Sequence, residues 1–181
     1  MRDVEERAEQ VLAATPGYVW DGERLPVPIE EIVDSVHGLL VRDVDDMSAA
    51  PGAPPLAQGQ ALSGLLLPAR GEIWVNAEEA RRWPPRRRFT IGHELGHWVM
   101  HRTGQEALFC RRTTIDESGQ RARLVRDIEE EASAFAAELL MPRWLLVREH
   151  ARAGGDVAEL CRVFGSSNAA MERRIADLFG A

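Results

Sequence analysis

Ile29, Ile32, Val33 and Val36 fall at i, i+3, i+4 and i+7 between Pro28 and Gly38, which predicts an amphipathic helix opened by proline and stopped by glycine. Upstream, Val4 to Ala14 reads as a Glu- and Arg-rich helix closed by Thr15-Pro16-Gly17. The pattern then changes period. Leu39 to Val44 reads as a strand, and residues 45–60, rich in proline, glycine and alanine without periodicity, read as a loop. Ala61 to Leu67 and Glu72 to Val75 are two apolar runs joined by Pro68-Ala69-Arg70-Gly71, the make-up of a hairpin turn. These runs predict a small three-stranded sheet.

From Asn76 the signals turn helical again. Asn76 is a candidate cap for a short helix over Ala77 to Trp83, and Pro84-Pro85 breaks it before a longer helix from about Pro85 to Arg102, ended by Thr103-Gly104. Residues 103–122 lack periodicity and read as a loop, with Leu108-Phe109 and Thr113-Thr114-Ile115 as a candidate small hairpin. Asp127 to Met141 is strongly helical, with Ile128, Phe135 and Leu139 facing inward and Pro142 as its stop. Arg143 to Ala153, Val157 to Phe164 and Asn168 to Leu178 predict shorter helices separated by Gly154-Gly155 and Gly165.

Composition narrows the class. With 181 residues, 45% hydrophobic and 28% charged, the chain matches a folded globular protein and not a disordered or collagen-like one. A charged N-terminus and the lack of any apolar run near ~20 residues predict no signal peptide and no membrane span, hence a cytoplasmic protein. Cys110 and Cys161, distant and outside any CxxC pair, are expected as free thiols. All 22 basic residues are arginine, yet the net charge is −7, the wrong sign for broad phosphate binding. Five arginines between Arg81 and Arg88 form a local basic run that reads first as a solvated face and second as a patch for an acidic partner.

Chemistry concentrates in His93-Glu94-Leu95-Gly96-His97, an HExxH motif within the longer helix. Two histidines at i and i+4 stand one turn apart, ~6 Å along the axis, so both imidazoles can meet one tetrahedral metal ion, with zinc the expected one. The intervening glutamate is then placed to take a proton from a metal-activated water. A hydrolytic zinc site needs a third protein ligand. His101 lies ~12 Å along the axis from His93 and is rotated by ~80°, so a straight helix does not bring it to the same ion. It is assigned to the surface or to a supporting position. The next helix offers Glu129, Glu130 and Glu131 in an acidic first turn, which the helix dipole alone would also favour. Gly92 and Gly96 on one helix and Ala132, Ser133 and Ala136 on the other would let two backbones approach closely, and Glu129 shares that small-residue face. Glu129 is the expected third ligand, with Glu130 and Glu131 as alternatives.

RRFTIGHELGHWVMH followed by EEEASAFAAELLMP, with LSGLLLP and IWVNAEE upstream, resembles the ImmA/IrrE family of bacterial and phage metallopeptidases over roughly Ile29 to Pro142. The resemblance implies His93, His97 and Glu129 as metal ligands and Glu94 as general base. It also implies a zincin-like α+β core with the small sheet packed on the HExxH helix. The function it implies is limited cleavage of a partner protein, commonly a helix-turn-helix repressor, which derepresses that repressor's genes. Ser133 stands where the family usually has Asn, which is expected to weaken a hydrogen bond to a ligand.

Two halves follow: residues 1–142 as the metallopeptidase core, best supported over 28–142, and 143–181 as a C-terminal helical subregion. The rhythm of Val157 to Leu178 is that of a helix-turn-helix, with Ser167 as a cap. Direct DNA reading by Asn168, Arg173 and Arg174 is disfavoured against packing or partner docking, because the chain is acidic. Trp74, Trp83, Trp98 and Trp144 are expected in the core or lining a groove. Cys110 is more readily a free thiol than a fourth zinc ligand. For the oxyanion the only tyrosine, Tyr18, is remote in sequence, leaving His101, His150 or an arginine. An extended substrate is expected to add to the sheet edge beside Leu65 to Leu67 or Ile73 to Val75. The competing class is a zinc-containing regulatory protein that binds a partner or DNA without hydrolysis. Glu94 favours the enzyme, since a structural zinc site needs no base beside it.

Overall fold

The three expected strands form, as β1 (Leu40–Val44), β2 (Gly64–Leu67) and β3 (Glu72–Asn76). A two-residue strand, β4 (Leu108–Phe109), joins them, so the sheet has four strands in the order β1-β3-β2-β4 instead of three. β1 runs parallel to β3, and β2 is antiparallel to both β3 and β4. This order corrects the expected substrate edge: β3, with Ile73 to Val75, is an inner strand, and β2 is covered at Leu65 and Leu66 by β4. The structure, a computed structural model, describes residues 2–50, 62–101, 108–109 and 119–180.

Around the sheet stand eight helices among the described residues: α1 (Arg2–Ala14), α2 (Ile29–His37), α3 (Ala77–Arg82), α4 (Pro84–Met100), α5 (Gly119–Leu140), α6 (Arg143–Arg152), α7 (Val157–Phe164) and α8 (Asn168–Phe179). Local chemistry sets most of their ends. Gly38 closes α2 in the left-handed conformation at φ 62°, and the Asn76 side chain accepts a hydrogen bond from the Glu79 amide to open α3. Asp156 and Ser167 cap α7 and α8 in the same way. The helix expected from Asp127 begins instead at Gly119, because its first turns carry polar residues that give no apolar period. No described helix is long and apolar enough to cross a membrane.

Alternation along the strands splits the burial. Leu66, Ile73 and Val75 join Ile91 and Leu95 of α4 and Phe135 and Leu139 of α5 in one core, which continues into Leu145, Leu146, Leu160, Phe164 and Met171. Leu65, Leu67 and Trp74, on the other face, pack with Met47 and Leu62 in a smaller cluster. α4 is thus clamped between the sheet and α5. Its glycines allow this: a Cβ on Gly96 would stand 3.0 Å from the Ala132 carbonyl oxygen, and one on Gly92 would stand 3.3 Å from the Ala136 Cβ. The close crossing expected from the small residues is therefore present, and it sets the spacing of everything these helices carry.

Candidate metal centre

Thr90 to His97 are all buried on α4, an unusual setting for two histidines and a glutamate. One turn of helix brings the two Nε2 atoms of His93 and His97 to 3.0 Å. Across the narrow crossing, α5 presents Glu129, whose Oε2 lies 3.2 Å from His93 Nε2 and whose Oε1 lies 3.3 Å from His97 Nε2. Zinc bonds of ~2.0–2.1 Å in tetrahedral geometry place neighbouring donor atoms about 3.3 Å apart. The three observed separations match that spacing, and the donor set of two imidazoles and a carboxylate suits the ion. His93, His97 and Glu129 could therefore hold a metal ion. Of the alternatives on α5, Glu130 and Glu131 are exposed and outside the triangle, and Glu131 turns to His101 at 3.4 Å. His101 stands outside the triangle, as the rotation of a straight helix requires.

Electrostatics separate the two glutamates. Burial pushes the Glu129 carboxyl up, but hydrogen bonds with His93 and His97 outweigh it and draw the pKa down to about 2, so the donor is ionised. Glu94 goes the other way. Burial, and then the Glu129 charge, push its pKa well above the ordinary carboxylate range, with the Leu66 backbone a weak counterweight. Apart from that Leu66 backbone approach, neither Glu94 oxygen has a hydrogen-bond partner among the described residues. Ionising so poorly partnered a buried carboxyl group is costly. β2 passes directly over it: a Cβ on Gly64 would overlap Thr90 Cγ2 and lie 2.8 Å from Glu94 Oε1. Sequence reasoning missed Gly64, although an interior strand glycine is a known signal of close backbone approach.

Ser133 lies one turn beyond Glu129 on α5, with Oγ 3.2 Å from His93 Nδ1. With a metal ion on Nε2, Nδ1 would carry the proton and donate to Ser133 Oγ, fixing the ring and its tautomer. Serine thus supplies the hydrogen bond whose weakening was expected from the missing asparagine. Ser133→Ala should lower zinc affinity about tenfold in a competition titration with a chromogenic chelator. Unchanged affinity would remove Ser133 from the site.

A cavity of about 570 Å³ opens on this triangle. It is lined by His93, Glu129 and Ser133 of the site, by Trp83, Arg86 and Phe89 of the α3–α4 region with Ser63 beside Arg86, and by a wall of Leu140 and Met141 with the α7–α8 turn, Phe164 to Ser167. Sequence reasoning did not find that wall. Of the oxyanion candidates, an arginine does reach the cavity: Arg86 hydrogen-bonds Ser63 Oγ at 3.1 Å and pairs with Glu79 at 2.9 Å. His101 pairs with Glu131, and His150 stacks on Phe179.

The other sequence candidates sort plainly. The Arg81–Arg88 run is engaged internally: Arg81 with Asp45, Arg82 with Glu78, Arg87 with both Glu30 and Asp43, and Arg88 with the Val27 carbonyl. Arg174 is buried, its guanidinium bonded to Glu138 and to the Met141 carbonyl, so it tethers α8 to α5 and is not available to read DNA. Trp74 is in the smaller core, Trp83 lines the cavity and Trp98 is partly buried against the main core. Trp144 departs from expectation, being exposed on α6. Cys161 is a free thiol, while Cys110 lies outside the described residues.

Residues 55–176 match the sequence profile of the IrrE N-terminal-like domain, a peptidase family. No curated protein matches the chain. Among solved structures, a Mycobacterium tuberculosis transcriptional regulator superposes with a TM-score of 0.61 at 20% sequence identity. The superposition covers 97% of this chain and 47% of that one, so the chain spans about half the length of that structure. At this identity the likeness shows a shared fold.

Proposed function

Because the chain belongs to the IrrE N-terminal-like (ImmA/IrrE) peptidase family, we propose that it is a zinc endopeptidase making limited cuts in a regulatory protein, with His93, His97 and Glu129 as ligands and Glu94 as general base. The observation that carries this is the triangle of donor atoms, spaced for tetrahedral zinc, with the buried Glu94 carboxyl group beside it, unpartnered among the described residues except for the Leu66 backbone. A zinc ion held there supplies Lewis acidity, both to make a water acidic near neutral pH and to polarise a scissile carbonyl.

The protein's residues do the rest. Glu94, relieved of its proton, accepts one from the attacking water and passes it to the departing amine. Gly64, by carrying no side chain, leaves room for the carboxylate to move between those partners. Ser133 holds His93 in orientation. Arg86 is the residue we assign to the developing oxyanion, since it is the oxyanion candidate that lines the cavity, and its pairing with Glu79 fixes its direction. Residues 1–142 carry the chemistry and 143–181 complete the groove. The expected substrate is a helix-turn-helix repressor, and the structural neighbour's description as a transcriptional regulator supports a role in that setting. The expected compartment is the cytoplasm.

The test is metal content together with cleavage of a co-encoded helix-turn-helix repressor, before and after chelation. One zinc per chain, loss of cleavage with a chelator and recovery on adding zinc support the reading. Zinc bound without cleavage of the repressor would favour the non-hydrolytic regulatory protein. Absence of zinc binding would end both.

A further inference from the structure

The cavity at the donor triangle is also lined by the turn of the helix-turn-helix-like pair, Phe164 to Ser167. The turn is docked on the helix that carries the histidines. Gly165 adopts φ 63°, and a Cβ there would stand 3.1 Å from Arg88 Nε of α4, so the turn approaches as closely as a glycine permits. Behind it, the buried Arg174 binds Glu138 and the Met141 carbonyl, which fixes α8 against the end of α5. The wall is therefore rigidly tied to both elements of the metal centre.

Its chemistry is specific. Phe89, Leu140, Met141, Phe164 and Ala170 give the cavity an apolar lining next to His93 and Glu129. Beside them stand Ser166 and Ser167 of the turn, and the Ser166 Oγ is shielded from solvent and has no hydrogen-bond partner among the described residues. A shielded hydroxyl without a partner has a cost that a ligand can relieve. The volume is in the range of ~300–1,000 Å³ typical of sites that engulf a ligand of a few residues.

We propose that the α7–α8 turn is the specificity wall of a peptide groove: a bulky apolar side chain next to the scissile bond packs among Phe89, Leu140, Met141, Phe164 and Ala170, and Ser166 hydrogen-bonds the same segment's backbone. The helix-turn-helix-like pair then serves to grip the substrate protein and not to read DNA. The cleaved segment is an extended one carrying Leu, Phe or Met, a class of residue normally buried in a folded repressor, so the cut falls where such a residue is exposed in a linker or released by local opening. This inference rests on the peptidase reading for the words "scissile bond", but the pocket itself is testable without catalysis.

The experiment uses the full chain, isotope-labelled, with the capped pentapeptides acetyl-Ala-Ala-Leu-Ala-Ala-amide and its central-glycine counterpart as probes. Amide shifts at Gly165, Ser166 and Ala170 report binding with or without zinc. The leucine peptide should bind about tenfold tighter than the glycine peptide, the worth of burying one such side chain. Ala170→Phe, which fills the pocket, should cut that preference below threefold while the glycine peptide's affinity holds. Ser166→Ala should weaken both peptides alike, and it probes the wall even where Ala170→Phe fails to fold. Equal binding of the two wild-type peptides, or shifts confined to residues away from the turn, would overturn the proposal. So would displacement of these same amides by a DNA duplex but by neither peptide. Peptide preference in a chain that binds no zinc and cuts nothing would keep the pocket and sink the peptidase reading, so the two fail separately.

Discussion

Glu94→Gln should retain one zinc per chain and lose nearly all cleavage, with kcat/KM falling about 10³-fold, or ~4 kcal/mol of transition-state stabilisation. The reasoning starts from position. Glu94 is absent from the donor triangle, so replacing it removes no ligand atom. It is fully buried beneath Gly64, and glutamine is nearly its isostere, so the fit against β2 is conserved. What changes is the ability to hold and return a proton. Because burial and the Glu129 charge already disfavour the ionised form, the substitution also costs little in the metal-free fold, and the melting temperature should stay the same or rise. Steady-state cleavage, metal analysis and a thermal melt check the three parts. Cleavage within tenfold of wild type would end the base assignment.

What the sequence could and could not disclose follows from the range of the interactions. The HExxH pair is a local matter, since two residues four apart on any helix share a face, and the structure keeps them there. Glu129 was legible one step further out, because Gly92, Gly96, Ala132 and Ala136 declare where two helices touch and Glu129 lies on that face. Ends marked by Gly38, Asn76 and Ser167 formed as their capping chemistry dictates. Several of the failures are non-local. Leu108-Phe109, expected as one arm of a small hairpin, does form the strand β4, but its pairing with β2 is non-local. Arg174 carries a charge that suggests solvent, yet a glutamate 36 positions away buries it. The groove wall at Phe164 to Ser167 belongs to a turn whose own sequence says only that two helices meet there. Its place in the cavity that His93 also lines comes from the tethering of α8 to α5, which no periodicity encodes.

Glu129→Ala should release the metal. With one of three protein donors gone, a share of roughly a third of a binding energy of ~10–16 kcal/mol is lost, and zinc affinity should fall by about 10²- to 10⁴-fold. The fold should survive, because the α4–α5 crossing is made by Gly92 and Gly96 against Ala136 and Ala132 and does not depend on the glutamate. The paired control is Glu131→Ala, two residues along the same helix. Its side chain faces His101 and stays clear of the triangle, so zinc affinity should match wild type. Competition titration against a chelator of known affinity reads both variants on one scale. Equal losses in the two would mean that the acidic stretch Glu129 to Glu131 acts as a diffuse charge and not as a ligand, whereas loss in Glu129→Ala alone shows that a single carboxylate, positioned by a close helix crossing, completes the site. The same comparison bears on Glu94, since removing the Glu129 charge takes away the second cause of its raised pKa. In the Glu129→Ala protein, therefore, Glu94 ionises at lower pH than in the metal-free wild type. Site-resolved carboxyl titration would detect that shift, and an unchanged Glu94 would show that burial alone sets its protonation.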